Sequence, residues 1–173
     1  MTKPEIKTRL IEGHQSFIQY IDNLSEPDFM FSPNGKWTAG KQMDHIFLSV
    51  RILCKALQLP KFFLRYKFGK SNRPTRDYDT VVKKYRDKLQ AGGLAPSPFV
   101  PPAIPFEEKA QLQAKLRAKV ETLCKQLDKF DEQQLDVYIL PHPLLGKLPL
   151  REMMYFTIYH VQHHLEITQR NLK

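Results

Sequence analysis

An all-α helix bundle is the fold class this sequence predicts, on three observations. Four long segments repeat apolar residues at helical spacing, no stretch shows convincing strand alternation, and the length suits a single domain over residues 1–173. A domain of this size buries roughly two thirds of its unfolded surface in one core, so no disulfide framework is needed. Cys54 and Cys124 each sit within an apolar helical pattern, which predicts reduced thiols. The chain opens on a charged helix rather than a secretory leader, and a cytoplasmic setting is expected. No apolar run approaches the ~20 residues that cross a bilayer, so no membrane partner is expected.

The first helix, over residues 4–24, places Ile6, Leu10, Phe17, Ile21 and Leu24 on one face. Residues 25–34 break the pattern with Pro27 and Pro33, Gly35 follows, and Thr38 is placed to cap a second helix running to about Leu59, before Pro60. Its stripe holds Met43, Ile46, Val50, Leu53 and Leu57. Residues 61–74 read as irregular. An extra short helix follows on Tyr78, Val81, Val82, Tyr85 and Leu89, closed by Gly92 and Gly93. Five prolines within 94–105 predict an extended strap, because proline cannot continue a helix. The third long helix spans about Phe106 to Phe130, with Glu107 and Glu108 near its positive end and Leu112, Leu116, Val120, Leu123 and Leu127 facing inward. A loop over 131–148 leads to the fourth, over roughly 149–171.

The net charge of +9 fits an anionic small-molecule substrate, since basic surface attracts carboxylates and phosphates at range. Six basic residues, Lys61, Arg65, Lys67, Lys70, Arg73 and Arg76, crowd into residues 61–76 among Phe62, Phe63, Tyr66 and Phe68. Such mixtures also mark single-stranded nucleic-acid surfaces. The alternative to an enzyme is therefore a non-catalytic binding module that uses this segment for nucleic acid or an acidic partner. The favoured reading is a solvated face whose Lys and Arg stems cover apolar surface, with no nucleic-acid partner.

Histidines carry the sharpest signal. His160 and His164 are about 40° apart around a helix and fall in the apolar arc of Met153, Met154, Val161 and Leu165, while Tyr155, Tyr159 and Glu166 project to the polar side. Imidazoles at that spacing can grip one metal ion. Val161 stands where a His-Glu-x-x-His enzyme needs its glutamate, so a base of that type is not supported. His45, on the flank of helix two beside Ser49 and Ala56, is the natural third ligand. Three inward imidazoles lacking partners would each cost about 1–3 kcal/mol, and one shared divalent ion answers all three. Three protein ligands leave a position open to water or substrate. Imidazole suits zinc, nickel, iron and copper alike. His163 reads as a surface residue, His14 as a partly buried structural histidine, and His142 as turn chemistry bordering the site entrance. Asp44 and Glu152 project toward polar faces, so no general acid or base is identified.

Trp37 before the helix that bears His45, then His142-Pro143-Leu144-Leu145-Gly146-Lys147-Leu148-Pro149-Leu150 leading into Tyr159-His160-Val161-Gln162-His163-His164-Leu165, resembles the DinB-like superfamily over nearly the whole chain. The resemblance implies a four-helix bundle of up-down-down-up connectivity, here with the extra short helix and Pro-rich strap between helices two and three. It implies three metal ligands at His45, His160 and His164, zinc or nickel as the ion, and a fold often found as a homodimer. Activities known in the family include thiol-dependent S-transferases and a thiol-dependent isomerase, and many members are classed as metal-dependent hydrolases. A low-molecular-weight thiol is therefore an implied cofactor option. Pro149 departs from the Ser or Thr usual at that helix start, which bears on the helix boundary rather than the site.

Overall fold

A computed structural model describes residues 1–173. Its elements are α1 (Lys3–Asp22), α2 (Glu26–Met30), α3 (Ala39–Gln58), α4 (Lys61–Phe68), α5 (Tyr78–Gln90), α6 (Lys109–Leu127), α7 (Glu132–Val137), a hairpin of β1 (Ile139–His142) and β2 (Gly146–Pro149), and α8 (Leu150–Asn171). Short 3-10 turns cover Pro33–Gly35, Ser97–Phe99 and Phe106–Glu108.

Side-chain caps set the helix starts. Thr2 and Glu5 form a capping box on α1, Thr38 accepts from the Lys41 N–H at 3.2 Å to open α3, and Asp77 accepts from the Thr80 N–H at 2.8 Å to open α5. α8 has no such cap. It begins after Pro149, and the Leu150 N–H donates instead to the Tyr138 carbonyl at 2.9 Å.

Apolar stripes bring the four long helices together. α1 packs against α6 and α8, and α3 packs against the same two, so their buried faces merge into one core around Phe17, Met43, Leu57, Leu116, Leu123 and Met154. Each such fully buried side chain contributes about 1.5–3 kcal/mol relative to exposure. α5 covers α8 from outside with Val81 and Tyr85. The strap after α5 lies on α3, where Gly40 permits the approach: a Cβ there would stand 2.7 Å from Phe29 and 3.0 Å from Ile104. No helix is long and apolar enough to cross a membrane.

Several expectations are corrected. Residues 61–68, expected to be irregular, form α4, which begins after Pro60 and is anchored by buried Leu64. The expected loop 131–148 contains α7 and the hairpin, paired Ile139 to Pro149, Leu140 to Leu148, Pro141 to Lys147 and His142 to Gly146. Gly146 adopts φ +75°, which a side chain would strain, at the close of the hairpin turn. The polar face expected for the fourth helix is missing from its first half. Every residue from Leu150 to Val161 is buried, Tyr155 and Tyr159 included, because α1, α3, α5, α7 and the hairpin all pack on α8.

Candidate metal centre

Two long helices supply the three expected ligands. His160 and His164 stand one turn apart on α8, and His45 faces them from α3; all three are buried. The Nε2 atoms converge: His45 Nε2 and His164 Nε2 each lie 3.1 Å from His160 Nε2. One ligand nitrogen from each residue falls within 4.8 Å of the other two.

The outward nitrogens fix the tautomers. His45 Nδ1 lies 2.6 Å from the Phe99 carbonyl oxygen in the strap, and His164 Nδ1 meets the side-chain oxygen of Gln42. An oxygen of either kind only accepts, so both Nδ1 atoms carry the proton and both Nε2 atoms present lone pairs. A neutral His160 has at most one proton to offer two facing lone pairs. A divalent cation at the point of convergence satisfies all three nitrogens, so the donor set fits a metal ion. Burial depresses the pKa of all three imidazoles. For His160 and His164 the neighbouring imidazoles push further down, so the rings stay neutral with lone pairs free, the state that coordination would require.

The cluster opens into a cavity of about 660 Å³, within the range of small-molecule sites. Trp37 packs on it, its ring centroid 5.2 Å from that of His45 and stacked on His164 at 6.5 Å. Ile52, Leu53, Phe68, Leu89, Leu144 and Phe156 give much of the wall, and no aspartate or glutamate lines it. Lys36 and Arg170, both exposed and neither in an ion pair, are its charged lining residues.

The remaining histidines also line this cavity. His142 accepts from the Leu144 and Leu145 N–H groups at 3.1 Å each, the turn role expected of it. Its Nδ1 lone pair is thus used, and in the neutral ring the proton sits on Nε2. Burial pushes its pKa down to about 4. His163, expected at the surface, is half-buried against Tyr85 and Tyr159. His14 is more buried than expected, at 1 % exposure.

Glu152 corrects another expectation. It is wholly buried rather than on a polar face, and it receives Arg73 at 2.5 and 2.8 Å and Arg76 at 2.6 and 3.1 Å, plus the Arg76 N–H at 2.8 Å. Burial pushes its pKa up, but these hydrogen bonds outweigh that and hold it at about 2. Two of the six cations of segment 61–76 are thereby engaged inside the fold, which leaves the segment less to offer a polyanion. Asp44 is half-buried on α3 and is not among the cavity-lining residues. Sequence reasoning missed Gln42 and the Phe99 carbonyl. The first shares a helix face with His45 by i, i+3 spacing, a signal that could have been read; the second is a backbone atom with no side-chain signature.

A family model described as the DinB superfamily matches residues 9–168. No curated protein and no solved structure matches the chain.

Proposed function

The chain belongs to the DinB superfamily, and from that premise we propose that it is a metal-dependent enzyme, a hydrolase or a thiol-dependent S-transferase, whose zinc or nickel ion is held by His45, His160 and His164. One observation carries the reading: three Nε2 atoms converge while the outward nitrogens of His45 and His164 are tied to oxygen acceptors. A bound ion of this kind supplies Lewis acidity, which lowers the pKa of a water or thiol completing its coordination. In the same reading the long helices form the up-down-down-up bundle of the family, and a homodimer is the expected assembly.

Side chains of the cavity would do the remaining work. Its apolar walls exclude water and so strengthen every electrostatic contact inside. His142 presents an Nε2 proton to a substrate oxygen. Ser49 and Thr157 turn their hydroxyls onto the carbonyls of His45 and Met153, at 2.9 and 2.8 Å, so neither is free. Tyr85 is the cavity hydroxyl with no such commitment, and burial raises its pKa and keeps the phenol protonated. With no carboxylate in the lining and Lys36 and Arg170 unpaired, the favoured substrate is a largely apolar small molecule bearing a negative charge. The rival reading, a binding module working through residues 61–76, draws its support from exposed Phe62 and Tyr66.

Elemental analysis of the purified protein should find a single divalent ion per chain, and His160→Ala and His164→Ala should each lose it. Unchanged metal content in both variants would remove the basis of the proposal.

A further inference from the structure

Water-facing apolar side chains call for a reason when they gather at one place. Ile52 on α3 is 37 % exposed and Leu94 on the strap is 81 % exposed, and both line the histidine cavity, so they stand at its mouth rather than in its depth. Leu94 follows Gly92, at φ +87°, and Gly93, with Pro96 two residues on, so the chain turns sharply and holds a leucine out at the tip. That leucine belongs to no part of the core.

The charges at the same mouth are of one sign. Lys36 and Arg170 line the cavity, are exposed and enter no ion pair, while no aspartate or glutamate lines it. Glu166, one turn before Arg170, is bonded to Gln162 at 3.1 Å and stays outside the lining. Residues 45–76, which carry Ile52, and residues 88–106, which carry Leu94, contain no acidic residue at all. The mouth thus combines two projecting aliphatic side chains with two free cations.

We propose that this mouth is a docking surface for an anionic lipid bilayer, with Leu94 and Ile52 entering the acyl boundary while Lys36 and Arg170 meet headgroup phosphates. A bilayer can be met without being crossed, so the lack of a spanning helix does not bear on this contact. A second copy of the chain fits poorly, because its net charge is also +9. Single-stranded nucleic acid asks for planar rings on which bases stack, whereas the projecting residues here are aliphatic. Lipid is the polyanion that offers an apolar layer beneath its charges, and the apolar walls behind the mouth face that same layer. The inference stands on this surface alone and does not require the metal.

Cosedimentation of the purified full chain with vesicles of equimolar phosphatidylcholine and phosphatidylglycerol measures docking, and vesicles of phosphatidylcholine alone are the neutral control. Binding should be at least about tenfold tighter to the anionic vesicles and should weaken with added salt. Net charge alone attracts a basic protein to such vesicles, so the variants decide. Leu94→Ser should weaken binding roughly tenfold through lost apolar burial, and Lys36→Gln combined with Arg170→Gln roughly twentyfold. Phe62→Ser combined with Tyr66→Ser, on the other exposed basic segment, should leave binding unchanged. Leu94→Ser alters a side chain that projects into solvent and so keeps the fold, which circular dichroism checks. Absence of binding to anionic vesicles, or equal binding by Leu94→Ser and the unmodified chain, overturns the proposal. So does a loss confined to the Phe62 and Tyr66 pair, which moves the contact to α4. Oligothymidylate or polyglutamate bound with an affinity that Leu94→Ser lowers as much makes the mouth a nucleic-acid or protein surface, and likewise overturns the lipid assignment.

Discussion

Because the side-chain oxygen of Gln42 takes the Nδ1 proton of His164, the glutamine decides which ring nitrogen faces the centre. Gln42→Leu should therefore weaken metal binding about 10- to 100-fold, the usual effect of losing such an orienting partner, while stoichiometry at saturating metal stays unchanged. Competition against a chromogenic chelator measures this, and an unaltered affinity would show that Gln42 does not orient the ring. At this scale the convergence of the three histidines was legible and their supports were not. His160 and His164 declare themselves because helix geometry fixes side chains four apart on one face. His45 needed the further inference that unpaired inward imidazoles seek a common partner. Gln42 resembles any surface glutamine in a string of letters, and the Phe99 carbonyl resembles every other backbone oxygen.

Elements were legible where one face is wet and less so where neither is. α1, α3 and α6 kept their expected stripes, but the first half of α8 is enclosed on all sides, so the polar face drawn for Glu152, Tyr155 and Tyr159 does not exist. What lets a carboxylate enter that helix is the paired guanidinium groups of Arg73 and Arg76, which arrive from the segment between α4 and α5. α4 escaped notice because it is short and starts after Pro60 with no capping side chain, and the hairpin because Pro141 and Pro149 interrupt strands of four residues. Glu152→Ala should cost about 1.5–3 kcal/mol, since it removes the buried carboxylate that two partly exposed arginines bond to. Urea unfolding reads this directly; a loss below a fraction of a kcal/mol would mean that the two cations find water without disturbing the fold.

Across the molecule, buried neutral histidines tie stability to pH. His14 and His142 have pKa values lowered from 6.5 to about 4 in the folded chain, so between those values the unfolded chain binds more protons. Stability is then complete above about pH 6.5 and drains away as pH falls toward 4, with His14 alone accounting for about 3 kcal/mol. Thermal melts of metal-free protein should show a level midpoint above neutrality and a steep descent below it, eased in His14→Leu. A midpoint unchanged between pH 7 and 4.5 would contradict neutral burial. The strap that carries Phe99 adds a mechanical tie, for its carbonyl grips the His45 ring while its prolines keep it stiff. Leu94, Pro96 and Phe99 also line the cavity, so one stretch of chain serves both as part of its wall and as the tether of a buried imidazole.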